Sequence, residues 1–109
     1  MKYLKNISNK EINVNDLIKV IDKQVVSIAL TNLKNTDIRL FSLSKEEEIY
    51  NEKYEMDTIY LCLEGEIIVD ENNVQHKLNK HDMIAISSDS KSHIIAKVDS
   101  IMLQIMVKE

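Results

Sequence analysis

Apolar and polar residues alternate in short stretches along most of this chain, with polar breaks roughly every eight to twelve residues. Gln24 to Leu30 carries Val25, Val26, Ile28 and Leu30 and ends at a polar Asn32–Asn35 turn. Asp37 to Leu43 puts Ile38, Leu40 and Ser42 on one face and Arg39, Phe41 and Leu43 on the other. These two stretches read as strands and as hairpin partners. The longest apolar run spans Ile59 to Val69 and is broken only at Glu64-Gly65-Glu66. Before the break both parities are apolar, with Tyr60 and Cys62 on one side and Ile59, Leu61 and Leu63 on the other. That pattern predicts a strand covered on both faces. An isolated glycine in a strand marks a bulge, a bend or a close backbone approach, so Gly65 is assigned a structural role.

The rest of the pattern continues in the same period. Asp70 to Asn73 is a hairpin turn, with Asn72-Asn73 suited to positive φ. Val74 to Leu78 returns as a strand, Asn79 to Asp82 turns, and Met83 to Ile86 forms a short strand. Ser87 to Ser92 reads as a loop, and His93–Val98 and Ile101–Val107 as a final pair turned at Asp99-Ser100. In the last strand Ile101, Leu103, Ile105 and Val107 read as the buried face, with Gln104 on the opposite parity. Upstream, Met1 to Lys10 is an extended arm with Tyr3, Leu4 and Ile7 as anchors. Asn13 or Asn15 caps a helix of about two to three turns carrying Leu17, Ile18 and Ile21. Ser44 to Asp57 is charged and reads mainly as a solvated face. Within it, Glu52 and Tyr54 alternate with Lys53 and Glu55 as in an edge strand with one face turned inward. About nine short strands with regular turns define an all-β sandwich or barrel.

Composition narrows the classes. The chain has 109 residues, which suits a single domain, with residues 1–23 as arm and helix and 24–109 as the barrel. A net charge of −4 and a pI near 5.4 argue against nucleic acid or an anionic membrane as partner. No apolar run reaches the length of a membrane span, and the N-terminus lacks a signal-like apolar segment. The lone cysteine, Cys62, fits a reducing cytoplasm and reads as a small apolar core residue. The chain has no proline and one glycine, so Asn and Asp are expected to take the left-handed turn positions. Arg39 is the only arginine.

The order Leu63-Glu64-Gly65-Glu66, the Asn72-Asn73 hairpin, Leu78-x-x-His81-Asp82-Met83-Ile84-x-Ile86, and His93 before a closing strand pair resembles a small single-domain cupin. The resemblance covers Asp37 to Val107 and implies a double-stranded β-helix, or jelly-roll barrel, with an interior pocket. It also implies a dimer, and in many members a divalent metal. The family's first motif, H-x-H-x3,4-E-x6-G, counted back from Gly65, places Glu52, Tyr54 and Thr58 at the three ligand positions. The second motif, G-x5-P-x-G-x2-H-x3-N, puts His81 at its first glycine, Asp82 at the acidic residue that follows, and Ser87 at the proline. His93 falls one residue beyond the ligand histidine.

A site for a first-row metal wants three or four converging imidazole, carboxylate or thiolate donors. These positions supply His93 and Glu52 at most, so no resident metal or other cofactor is expected. His93, Glu52, Tyr54, Thr58, Tyr60 and Gln104 are instead the candidate lining of a small-molecule pocket, with His93 pointing inward at its mouth. His76 reads as a half-buried structural residue and His81 as an exposed turn residue. No nucleophilic triad or phosphate-binding loop is legible. The resulting expectation is a cupin module that binds a small molecule or dimerises, without catalytic residues. The alternative is a cupin-type isomerase or oxygenase using His93 with Glu52.

Overall fold

The computed structural model describes residues 1–51 and 55–109. Within them the chain forms one helical turn, α1 (Val14–Leu17), and nine strands. In chain order these are β1 (Val25–Ala29), β2 (Thr36–Leu43), β3 (Glu48–Asn51), β4 (Asp57–Glu64) and β5 (Glu66–Glu71). They are followed by β6 (Val74–Asn79), β7 (Met83–Ile86), β8 (Ser92–Ala96) and β9 (Ser100–Val107). Two antiparallel sheets result: a five-stranded sheet in the order β1-β2-β9-β4-β7 and a four-stranded sheet in the order β3-β8-β5-β6. Successive strands repeatedly cross from one sheet to the other, which gives the jelly-roll pattern and leaves few long free edges. The β1–β2 hairpin forms in the register Val25 to Leu43 through Ala29 to Arg39.

Alternation along the strands builds the core between the sheets. Phe41, Leu43, Tyr60, Cys62 and Met102 from the large sheet meet Ile67, Val69, Ile94 and Ala96 from the small one. A second cluster lies on the outer face of the large sheet. There Ile18, Leu40 and Ile101 are buried and Val14, Leu17, Leu63 and Leu103 pack around them. The N-terminal segment therefore covers one end of that outer face, which explains why both parities of β4 are apolar at Cys62 and Leu63. Further along, Ile59 and Leu61 are only half-buried.

Three expectations change. The helix is one turn rather than two or three. Asn13 caps it by accepting from the Asn15 amide at 2.9 Å, but Ile18 already has extended backbone and turns down into the second cluster. A short isolated helix rich in β-branched residues is marginal, and packing of Ile18 overrides its continuation. In the charged segment the described residues include a strand at Glu48–Asn51, whose Ile49 packs against the core; the alternating stretch at Glu52 and Tyr54 lies outside the described residues. The last two strands are not paired with each other: β8 pairs β3 and β5, while β9 lies between β2 and β4. They lie in opposite sheets, and Ile94 and Met102 contribute to the core between those sheets from its two sides. Finally, the buried face of β9 carries Met102, Gln104 and Met106, while Leu103 and Ile105 are half-buried and Val107 is exposed. Two aliphatic parities were available, and the longer Met and Gln side chains fill the wider barrel interior.

Asn and Asp do stand in for glycine, with company. Among the described residues Asn6, Asn72, Asn73 and Asp89 have positive φ, and so do Lys23, Glu46 and His81. His81 and Asp89 occupy the two glycine positions of the second motif, so the turn survives without its usual residue.

Candidate functional site

The barrel interior is closed at its centre by Tyr60. It stands on β4, is completely buried, and its hydroxyl lies 3.3 Å from Ser92 Oγ. Burial pushes the Tyr60 phenol above its ordinary value, against opposing hydrogen bonds with Ser92 and Asn51, so the ring remains a neutral plug. Thr58, one inward position earlier and equally buried, accepts from Asn51 Nδ2 at 3.3 Å. These contacts tie β3, β4 and β8 together across the gap between the sheets.

Beyond this plug the barrel opens into a cavity of about 230 Å³ lined by Asp37, Arg39, Phe41, Ile49, Tyr50, Asn51, Gln104 and Met106. Arg39 and Gln104 are register partners on β2 and β9, so their side chains stand side by side on the inner face. Asp37 Oδ1 accepts from Arg39 Nε at 2.9 Å. Arg39 was not among the anticipated pocket residues. Its parity with Phe41 and Leu43, together with its being the sole arginine, was the signal that could have found it.

His93 faces the other way. Along β8, Ser92, Ile94 and Ala96 point into the core, which turns His93 and Ile95 outward. Its ring stacks on Tyr50, with centroids 4.8 Å apart and planes 16° from parallel, and its Nε2 lies 3.9 Å from Glu48 Oε1. The residue that points inward is Ser92, which is also the one at strict motif spacing from His81. The expectation of an inward His93 is thereby corrected: the loop is not a residue longer, and a serine stands where the histidine was sought. His93 instead borders an open groove of about 400 Å³ on the outer face of the small sheet, with Tyr50, Asp70, Asn72, Asn73 and Lys91.

Glu52 and Tyr54 lie outside the described residues. Of the remaining motif positions, Thr58 points inward with a neutral hydroxyl and His93 points out, so these two do not converge on a metal. Among the described residues no group of three or more His, Cys, Asp or Glu side chains is placed to hold one. Cys62 is buried and its Sγ sits 3.4 Å from the Glu64 carbonyl oxygen. Burial first, then the nearby Asp82 carboxylate, pushes its thiol up, which keeps it un-ionised and poorly nucleophilic. His76 is half-buried, 3.4 Å from Glu71 Oε1, and His81 is exposed. Asp82 Oδ2 accepts from the Asn79 amide at 2.9 Å and closes the turn between β6 and β7.

Two facing antiparallel sheets with a plugged barrel and an open mouth define the double-stranded β-helix class. Comparison with solved structures gives the family. The chain is similar to a cupin superfamily protein from Desulfitobacterium hafniense DCB-2, with 30% identity, a TM-score of 0.90, and coverage of 97% of this chain and 98% of that one. It also matches a cupin 2 conserved barrel domain protein from Leptotrichia buccalis at 30% identity and a TM-score of 0.91, covering 97% of this chain and 51% of that one. A conserved protein of unknown function from Streptococcus pyogenes shares the fold at 22% identity and a TM-score of 0.94, covering 100% and 96%. The chain belongs to the cupin superfamily. No protein-family model and no curated protein matches it. Among the described residues no helix is long and apolar enough to cross a membrane.

Proposed function

We propose that this protein is a non-catalytic cupin module that binds a small molecule at the mouth of its barrel and has lost the usual metal site. The observation that carries this reading is the division of the interior by Tyr60. The centre of the barrel is filled by a neutral, hydrogen-bonded phenol, and the open volume lies beyond it, lined by Asp37, Arg39, Asn51 and Gln104 beside Phe41, Ile49, Tyr50 and Met106. A concave recess that sets apolar side chains beside convergent polar groups suits a small-molecule ligand. The acid–base or metal alternative drew on His93, whose outward ring has no line to that recess.

The test is a ligand screen by protein-observed NMR on metal-stripped protein, followed by elemental analysis of protein purified without chelator or immobilised nickel. Ligands that shift Arg39 and Gln104 resonances with no stoichiometric metal present support the reading. Stoichiometric metal whose removal abolishes binding sinks it.

A second reading, self-association, has its own observation. Ile38, Ile59, Leu61 and Ile105 are half-buried on the outer face of the large sheet, bordered by Met83 and Val107, which are 62% and 42% exposed. The cover supplied by the N-terminal segment stops short of this patch. A contiguous apolar face on a soluble chain is a recognised mark of an interface, and an isologous dimer would bury it on both copies. This reading and the ligand-binding one are compatible, since patch and mouth use opposite faces of the same strands.

A further inference from the structure

We infer that the ligand of the barrel mouth is a small monocarboxylate with a compact apolar body, held by Arg39 and Gln104; this rests on the mouth being the binding site. Gln104 is 5% exposed, yet no described residue hydrogen-bonds its carboxamide. Every fully enclosed side-chain nitrogen or oxygen among the described residues has a partner. The carboxamide is therefore not sealed; it opens onto the cavity it lines. A polar group this buried costs free energy until something hydrogen-bonds it, and here the open side is the ligand side.

Arg39 stands beside it at the same register position on the neighbouring strand. The contact with Asp37 uses Nε alone, so the carboxylate fixes the plane of the guanidinium and leaves both Nη groups for a second acceptor. A guanidinium edge next to a carboxamide N–H is a planar set of donors that matches a carboxylate, and charge-assisted bonds of this kind are the strong ones. Phe41, Ile49 and Met106 supply an apolar side to the rest of the wall, which Asp37, Tyr50 and Asn51 complete. One acidic group, set against Arg39 and Gln104, on a compact body with an apolar side toward Phe41, Ile49 and Met106 suits that wall, and a single guanidinium suits one carboxylate better than a dianion. At about 230 Å³ the cavity is smaller than the roughly 300–1,000 Å³ typical of drug-sized ligands, which limits the body to a few carbons or one ring.

The experiment is NMR titration of the full chain with isobutyrate and benzoate, and in parallel with isobutyramide and benzamide, which keep the shape and lose the charge. The acids are expected to shift the backbone amides of Arg39, Gln104 and Phe41 saturably, and to bind at least tenfold more tightly than the amides. Arg39→Lys and Gln104→Met are each expected to weaken acid binding about tenfold while leaving the spectrum of the folded barrel in place; two variants guard against one failing to fold. Equal binding of acids and amides at the mouth overturns the carboxylate assignment and leaves the mouth as a site for neutral ligands. Shifts confined to the outer groove at Lys91 and His93 also overturn it. Mouth resonances that respond to none of the four compounds, nor to any member of the broader screen, overturn both this inference and the reading beneath it.

Discussion

The backbone of Gly65 lies directly against Ser100: a β-carbon at position 65 would overlap Ser100 Oγ and sit 2.5 Å from the Asp99 carbonyl oxygen. Gly65 also has φ +86°, in the left-handed region. Ser100 Oγ accepts from the Glu66 amide at 3.2 Å and reaches the Val98 carbonyl at 2.7 Å, so this contact stitches the β4–β5 corner to the start of β9. The β4–β9 ladder shifts register between Cys62 and Glu64, immediately before it. Corner, bulge and crossover are one feature.

Gly65→Ala should therefore be among the most damaging substitutions in the chain. The left-handed backbone and the overlap add, and a loss on the order of 3 kcal/mol is expected. Urea unfolding followed by circular dichroism measures it. Adding Ser100→Gly should restore only part of the loss, because the Asp99 carbonyl is backbone and stays in place. A Gly65→Ala variant as stable as the parent would refute the close approach.

His81 is the converse case, a bulky residue at φ +76° with an exposed side chain. Its amide donates to the Cys62 carbonyl at 2.7 Å, which holds the turn regardless of the side chain. His81→Gly relieves a left-handed penalty of roughly 1–2 kcal/mol and adds back some unfolded-chain entropy. The expected outcome is a gain of about 0.5–1 kcal/mol, read as a higher urea midpoint with an unchanged slope.

The scaffold was legible in the sequence because strand period, turn residues and Gly65 all report local geometry. Hairpins such as β1–β2 and β5–β6 follow from that alone. What was not legible were choices made between elements. Whether β8 pairs β9 or joins the opposite sheet depends on where a three-residue connection crosses the core, and the two strands look the same either way. The inward face of β9 was misjudged because both parities are apolar, and barrel width decided between them. His93 was misplaced for a related reason: an imidazole near a motif position drew the assignment, while strict counting led to Ser92, whose hydroxyl meets Tyr60. Arg39 shows the reverse error. A lone charged residue on a strand's apolar parity was passed over, although it borders the mouth beside Gln104, a residue that was anticipated.

Two buried acids predict the alkaline limit of stability. Burial raises the folded-state pKa of Cys62 above 9.0 and that of Tyr60 above 10.0. Unfolding exposes both to water, where each ionises at its ordinary value. Well below pH 9 both are protonated in either state and the stabilisation is complete. As pH approaches 9 and rises on through the raised folded values, the unfolded chain binds fewer protons than the native one, and stability falls. Tyr60→Phe should remove its share of that alkaline loss while costing about 1 kcal/mol at neutral pH through the lost bond to Ser92. Native Cys62 should also resist a thiol reagent until urea unfolds the chain. Rapid stoichiometric labelling of folded protein would contradict its burial.

The uncovered patch on the large sheet gives the last prediction. Ile105 lies on β9, between β2 and β4, and Met83 lies on edge strand β7, so the two sample the middle and the rim of the face. If two copies bury this patch, the parent should scatter light as a dimer and its melting temperature should rise with protein concentration. Ile105→Glu places a charge at the centre of an isologous contact, where it meets its own symmetry mate's neighbours twice over, and should yield a monomer. Met83→Glu, at an exposed site that cannot disturb the core, should weaken the dimer less. In both variants the concentration dependence of melting should shrink or vanish while far-UV circular dichroism stays the same. A parent that is monomeric across the accessible concentration range, with melting independent of concentration, would remove the self-association reading and leave the barrel mouth untouched.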